Sequence, residues 1–253
     1  MAENYSYERR IVCFIDILGF SNIVKGTVNN GISGKAKLMN ICGALNMLDD
    51  FRLTFSEKME AKDVRTSQFS DSVVISFPWI EEDNSIVAAI SWIKNYQIFL
   101  IMEHGVLLRG GITIGDIIHN EKMIVGPAMI DAYTLESKKA LNPRIIIDTQ
   151  VISLFEKAYA RCRKNIKNID TTLINIDDDN MFYIDYFNFS ERDRTGIRFY
   201  LNDYLSQLKM LVAENKDNCD ARIREKYFWM NNKIMASNLI RRRKFGTISI
   251  RLN

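Results

Sequence analysis

The chain has 253 residues, and 47% of them are hydrophobic, which is enough apolar material to bury one large core. With 34 basic and 31 acidic residues, the formal net charge is only +3, and this argues against a dedicated nucleic-acid-binding surface. The cysteines at 13, 42, 162 and 219 lack zinc-ligand spacing, which excludes a zinc finger. Scattered cysteines of this kind fit a reducing cytoplasm.

No segment has the pattern of a targeting or membrane element. Residues Met1 to Arg10 are polar and lack the apolar centre of a signal peptide. The longest apolar stretch, Ile86 to Met102, is interrupted by Lys94, Asn95 and Gln97, and it falls short of the roughly 18 apolar residues that suggest a membrane span. We interpret it as an amphipathic helix with one buried stripe, and we expect a cytoplasmic protein without membrane or nucleic-acid partners.

In chain order, apolar alternation and helical spacing predict a strand, a helix, two strands joined by a tight turn, a helix, a strand, a helix and a strand. The first helical region is expected to break around Gly31 to Gly34, and glycines are expected to interrupt the strand region at 107–118. The predicted elements are strands at 10–16, 64–69, 71–79, 107–118 and 144–148, and helices at 36–59, 86–104, 126–140 and 150–158.

This order contains a βαββαβ unit, which predicts an α+β, ferredoxin-like sheet with helices on one face. The other face then needs cover from a partner or from another element. After an acidic turn at 177–180, the pattern predicts a strand at 181–187, helices at 191–215 and 219–243, and a last strand at 246–252. We therefore divide the chain into a core at 1–160 and a mostly helical extension at 161–253 that packs on it.

Two aspartates beside apolar strands carry the strongest chemical signal. Asp16 ends the run Cys13-Phe14-Ile15-Asp16, and Asp71 precedes Ser72-Val73-Val74. A buried carboxylate is costly unless it is compensated, and a divalent metal would compensate both at once. Gly19 provides a turn that could bring backbone amides close to a phosphate. The pattern predicts nucleotide chemistry, although Asp16 could also bind amides at a strand end and Asp71 could be a plain turn residue.

Four segments in order resemble the catalytic domain of class III nucleotidyl cyclases, over about residues 10–140. The first two resemble that family's metal motifs, and the third and fourth resemble the following strand and the helix that carries its transition-state residues. The segments are Phe14-Ile15-Asp16-Ile17-Leu18-Gly19-Phe20, Ser70-Asp71-Ser72, Arg109-Gly110-Gly111-Ile112-Thr113-Ile114-Gly115, and Val125-Gly126-Pro127-Ala128 continuing to Leu135-Glu136-Ser137.

The resemblance implies that residues 1–160 are a cyclase-like catalytic domain, in which the ribose 3′-oxygen of a nucleoside triphosphate attacks the α-phosphorus and pyrophosphate leaves. It implies two divalent ions, Mn²⁺ or Mg²⁺, held by Asp16, Asp71 and the carbonyl of Ile17. It also implies a head-to-tail homodimer with its sites at the interface.

The same resemblance implies that the phosphates lie near Gly19 and Phe20. Phe14, which shares a strand face with Asp16, would contact the nucleotide. Core packing is an equal alternative for Phe14, and packing onto the next helix is an alternative for Phe20.

Four positions depart from the family pattern. Ser67 and Met123 replace the Lys and Asp that select purine bases, while Ile130 and Thr134 replace the Asn and Arg that stabilise the transition state. Arg109 is the catalytic candidate for the missing cation, with Tyr133 and a cation of the extension as alternatives.

The absence of purine selectors resembles the pyrimidine cyclases of bacterial Pycsar antiphage systems. The expected product is cyclic UMP from UTP, or cyclic CMP from CTP, acting as a second messenger. A purine cyclase, a nucleotide-sensing module without turnover and a non-nucleotide scaffold are the alternatives.

Overall fold

One mixed sheet organises the part of the chain that the structure describes. The computed structural model describes residues 5–28, 31–58, 63–80, 84–165, 172–189 and 201–237, with the backbone alone at 51–58 and 163–165. Its strands are β1 (Glu8–Ile17), β2 (Arg65–Phe69), β3 (Ser72–Pro78), β4 (Leu108–His119), β5 (Ile124–Val125), β6 (Ile145–Ile147), β7 (Ile174–Ile176) and β8 (Phe182–Ile184). Its α-helices are α1 (Phe20–Lys25), α2 (Gly31–Lys58), α3 (Ser85–His104), α4 (Pro127–Thr134), α5 (Thr149–Asn165), α6 (Leu201–Asn215) and α7 (Ala221–Ala236).

The strands lie in the order β2-β3-β1-β4-β6-β8-β7, and β5 pairs with the end of β4. Strand β1 is central because it is apolar on both faces: Ile11 and Ile15 enter the main core, while Val12 and Phe14 enter a smaller cluster on the other face. It pairs antiparallel with β3 on one side and with β4 on the other. The first four strands therefore have the antiparallel order of a ferredoxin-like βαββαβ unit, and the predicted α+β fold is confirmed.

Helix α3 is buried on two sides, so the prediction of a single buried stripe is wrong. Ile90 and Ile93 enter the main core, whereas Ile98 and Ile101 enter a second core formed with α6 and α7. The ammonium of Lys94 is buried and donates to carbonyl oxygens of the extension. Among the described residues, α3 is the one helix long and apolar enough to cross a membrane, but most of it is buried within the protein.

Helix α4 covers part of the second sheet face. Ala128 and Ala132 pack against Val12 and Phe14. The helix lies so close to β4 that a β-carbon on Gly111 would collide with the Ala132 carbonyl, so this strand position requires glycine. The helix continues into a five-residue π-helical turn, Leu135–Lys139.

Two predicted interruptions and several element lengths are wrong. The segment Gly31 to Gly34 begins α2 instead of breaking it, and the chain turns at 26–28. Strand β4 runs without interruption, because β1 pairs with it through all of its glycines. Helix α5 is longer than predicted, β8 is shorter, and β5 and β7 were not predicted.

The extension continues the sheet as well as adding helices. Strand β8 pairs with β6, and β7 pairs with β8. Asp177, in the predicted acidic turn, forms ion pairs with Arg144 beside β6 and with Lys233 of α7, and it accepts a 2.7 Å hydrogen bond from Nε1 of Trp229. Helices α6 and α7 lie within the two predicted helices. Residues 191–200 of the first and 238–243 of the second, with the predicted strand at 246–252, lie outside the described residues.

Candidate active site

The end of β1 and the β2–β3 turn bring the two aspartates together. The backbone N–H of Ile17 donates to the carbonyl oxygen of Asp71 at 3.3 Å, which fixes the turn against the end of β1. Asp16 stands opposite Ser72 on β3, and Ser72 Oγ donates to Asp16 Oδ1 at 2.9 Å. The two predicted metal ligands are therefore neighbours, although 55 positions separate them in the sequence.

Arg109 reaches Asp16 from the other side of β1. The two residues are paired in the β1–β4 register, and Nη2 of Arg109 lies 3.2 Å from Oδ2 of Asp16. Nε of the same guanidinium lies 2.5 Å from Oε1 of Glu136, whose side chain is only 2% exposed. The π-helical turn that follows α4 places Glu136 there. Arg109 thus joins the two carboxylates.

The carboxylates in this cluster carry more negative charge than the guanidinium of Arg109 can neutralise. Burial raises the pKa of Asp16, and the neighbouring charge of Asp71 adds to the rise, while Ser72 and Arg109 oppose it. Burial also raises the pKa of Glu136 against the effect of Arg109, and both aspartates contribute to that rise. Arg109 pairs with Asp16 and Glu136, and Asp71 adds a third carboxylate nearby, so a further cation would stabilise their ionised forms.

The residues present suit a hard divalent cation that also binds substrate. Across the described ranges, no group of three or more Asp, Glu, His or Cys side chains is arranged to hold a metal ion. Mg²⁺, however, is commonly bound through one or two carboxylates together with substrate phosphates and water. Asp16 and Asp71 offer that number of oxygen ligands, and the raised pKa of Asp16 marks an incompletely compensated charge.

The other predicted site residues differ in how deeply they are buried. Phe14 is largely buried, and its ring packs edge-to-face against Tyr133 with centroids 5.5 Å apart. The side chain of Ile17 lies in the main core, which leaves only its backbone available to a ligand. Gly19 has a left-handed conformation (φ 78°) and is exposed, whereas Phe20 packs partly against the main core.

The predicted base-selecting position Ser67 belongs to a buried polar chain. Its Oγ lies 3.1 Å from Nε2 of His119, and Nδ1 of that ring lies 2.8 Å from Oγ of Ser76. Ser76 Oγ in turn accepts a 2.9 Å hydrogen bond from Nε of Arg10. Burial, with nearby arginines, lowers the pKa of His119 to about 4, so the imidazole is neutral at pH 7.

Sequence reasoning gave Glu136 and His119 no functional part. Glu136 belongs to the segment Leu135-Glu136-Ser137 of the fourth cyclase-like motif. Its contact with Arg109 depends on the π-helical turn, which has no clear sequence signal. His119 has no local sequence signal, because its partners Ser67 and Ser76 are 52 and 43 positions away in the sequence.

Comparisons with known proteins find similar structures at low identity. No protein-family model matches the chain, and no curated protein matches it. The adenylyl cyclase CyaB from P. aeruginosa has 17% identity and a TM-score of 0.46, with coverage of 71% of this chain and 95% of that chain. The catalytic core of a rhodopsin-guanylyl cyclase with converted specificity, in complex with ATPαS, has 16% identity and a TM-score of 0.44, with coverage of 70% and 95%.

An adenylate/guanylate cyclase/hydrolase from Silicibacter pomeroyi has 13% identity and a TM-score of 0.41, and the match covers 71% of this chain and 96% of that chain. Similarity at this level does not decide what the present chain does. The functional conclusion therefore depends on the cluster of Asp16, Asp71, Arg109 and Glu136.

Proposed function

We propose that the protein is a nucleotidyl cyclase that converts UTP, or as second choice CTP, into the cyclic 3′,5′-monophosphate and pyrophosphate. The observation that carries this proposal is the position of Asp16 beside Asp71 at the end of the central strand, with Arg109 across from them. The adjacent carboxylates of Asp16, whose pKa is raised, and Asp71 provide a hard-cation site, and a guanidinium within reach provides a phosphate ligand.

In this proposal, divalent cations bound with the substrate lower the pKa of the ribose 3′-hydroxyl and neutralise phosphate charge. Asp16 and Asp71 supply the carboxylate oxygens that hold them, with the Ile17 carbonyl as a further ligand. Arg109 then donates to the α-phosphate oxygens, where negative charge grows in the pentavalent transition state. Glu136 keeps the guanidinium in position when Asp16 binds a cation instead.

The pyrimidine preference is supported by the residues at the two base-selecting positions. Ser67 offers a small hydroxyl already paired with His119, and Met123 lies in the turn between β4 and β5. Neither residue carries the charge of the purine-type Lys and Asp. In keeping with the Pycsar resemblance, we propose that the cyclic product serves as a cytoplasmic second messenger in antiphage defence.

We further propose a homodimer whose second copy completes the site. Exposed apolar side chains lie on the sheet face that carries Asp16, or on the helix α4 that covers that face: Phe69, Ile130 and Tyr133. Light scattering should show that Ile130→Asp converts a dimer into a monomer. The matched variant Ile32→Asp, at an exposed position on α2, should remain dimeric. A monomeric wild-type protein would contradict this part of the proposal.

A nucleotide-sensing module without turnover is the second candidate. The observation in its favour is that Arg109 already compensates Asp16, while Ile130 and Thr134 occupy the places of the family's Asn and Arg. This candidate predicts metal-dependent nucleotide binding without release of pyrophosphate.

The deciding experiment is incubation of the purified protein with each of ATP, GTP, CTP and UTP in Mn²⁺, followed by chromatography of the products. Cyclic UMP or cyclic CMP as the main product supports the proposal. Cyclic AMP or cyclic GMP would replace it with a purine cyclase, and binding without any cyclic product would favour the sensing module. Asp16→Asn and Asp71→Asn should each abolish turnover while the protein remains folded.

A further inference from the structure

A cleft of about 720 Å³ lies between the turn after β1 and the extension helices. Leu18 and Gly19 form part of its wall, the end of α3 forms another part, and α6 and α7 face them from the extension. The cleft therefore reaches the turn that begins two residues after Asp16. Its other wall is formed by the extension, which contributes no residue to the candidate active site.

Two lysines line this cleft together with Leu18 and Gly19: Lys37 of α2 and Lys226 of α7. Lys37 is exposed, whereas the side chain of Lys226 is partly buried. Within the described ranges, Lys226 makes no ion pair and no hydrogen bond through its ammonium. Burial lowers the pKa of Lys226, and the charges of Arg109 and Arg222 lower it further, against the opposing effect of Asp220. An anion bound at Lys226 would oppose the repulsion that these positive charges cause.

The turn leaves room for such an anion. A β-carbon placed on Gly19 would meet no atom within 4 Å, so the space in front of this residue is open. Leu18 packs into the second core with Tyr227, the neighbour of Lys226, and its N–H donates to the Leu107 carbonyl at 2.8 Å. These contacts hold the turn and α7 at a fixed spacing across the cleft.

We propose that Lys226 binds the terminal phosphates of the substrate, so that the triphosphate extends from Asp16 and Asp71 past Gly19 into this cleft. The inference depends on the proposed cyclase function for the identity of the substrate, and it gives the extension a direct part in substrate binding. The cleft is not uniformly basic, because Glu103 and Glu214 also line it. We assign the anion site to Lys226 and not to the exposed Lys37, because the ammonium of Lys226 is partly buried and has no ion-pair partner among the described residues.

The test uses inorganic tripolyphosphate with Mn²⁺, measured by calorimetry on the full chain, because this probe needs no turnover. Lys226→Gln should weaken tripolyphosphate binding by tenfold or more. Lys209→Gln removes the same charge from an exposed position of α6 outside the cleft and should leave binding within twofold of wild type. Glu214→Gln removes a negative charge from the cleft wall and should tighten binding.

Equal binding by wild type and Lys226→Gln would overturn the inference, and so would a wild-type protein that does not bind tripolyphosphate. Failure of the cyclase proposal looks different. In that case tripolyphosphate binding depends on Lys226, but no nucleoside triphosphate yields a cyclic product. If cyclase activity is found, Lys226→Gln should raise KM for the nucleotide, while a fall in kcat with an unchanged KM would contradict a phosphate-binding role.

Discussion

Asp16 and Arg109 face each other across β1 and β4, and Oδ2 of Asp16 lies 3.2 Å from Nη2 of Arg109. The same carboxylate is the proposed metal ligand, so the guanidinium holds in place a charge that a divalent cation would later bind. Because Glu136 also binds Arg109, the guanidinium would keep a partner if Asp16 turned to a cation. The chain assembles this carboxylate cluster without any ligand.

Removing the guanidinium should expose how much the cluster depends on it. Arg109→Gln leaves Asp16 and the buried Glu136 without their shared cation, and we expect the free energy of unfolding in urea to fall by about 3 kcal/mol. Arg9→Gln, at an exposed position of β1, is the matched control and should change stability by less than about 0.5 kcal/mol. The double variant Arg109→Gln/Glu136→Gln should recover part of the loss, and no recovery would contradict the assigned pairing.

Metal binding should be visible as stabilisation without any nucleotide. The folded state raises the pKa of Asp16, so near pH 7 its ionised carboxylate disfavours folding, and stability improves as pH falls through that raised pKa. Millimolar Mn²⁺ should raise the Tm of the wild type, because it compensates Asp16 and Asp71 together. Asp16→Asn should abolish this shift while keeping a metal-free Tm at or above that of wild type. Asp116→Asn, exposed on β4, should keep the full shift.

The neutral imidazole of His119 predicts a specific loss of stability in acid. Its pKa is about 4 in the folded protein and about 6.5 in an unfolded chain. The unfolded chain therefore takes up a proton first, and the contribution of His119 to stability, complete above about pH 6.5, is lost as pH falls towards 4. The total is roughly 3 kcal/mol.

Urea unfolding at several pH values between 4 and 7 measures this contribution. His119→Gln, which cannot titrate, should show a shallower fall in unfolding free energy across that range. An identical slope in the variant and the wild type would rule out His119 as the source.

Attachment of the extension should depend strongly on the buried carboxylate of Asp177. Asp177→Asn removes the charge that pairs with Arg144 and Lys233, and it leaves the exposed Asp179 as the remaining carboxylate partner of Arg144. We expect a loss of about 3 kcal/mol in unfolding free energy. Asp178→Asn changes the exposed neighbour and should have little effect. Equal losses of unfolding free energy in the two variants would contradict the assigned role of Asp177.

The sequence was sufficient to place most strands and helices because their patterns are local. Strand β1 is apolar on both faces, which predicted its central position, and Gly105 ends α3 in the left-handed conformation expected of a C-cap. Asp16 and Asp71 stood out because each carboxylate borders a β-branched run. What failed was the interpretation of glycines as breaks, since pairing with β1 fixes the β4 glycines in a regular strand.

The partners of these residues could not be read from the sequence, because they depend on register and on distant packing. The contact between Arg109 and Asp16 spans 93 positions and requires the β1–β4 register. The second side of α3 appeared polar at Lys94 and Gln97, yet both are buried, and Lys94 contacts a segment 78 or more positions later. A local sequence pattern does not show that a polar side chain is buried by residues distant in the sequence.

The pairing of β8 with β6 means that the sheet cannot be completed until late in synthesis of the chain. When synthesis has reached β6, the outer edge of that strand has no neighbouring strand. Arg144 also lacks its partner Asp177, which is 33 residues later in the sequence. An open, apolar edge on a nascent chain is a site for association with other chains. We expect the emerging polypeptide to depend on chaperones during this interval, and a gene truncated before residue 172 to yield inclusion bodies.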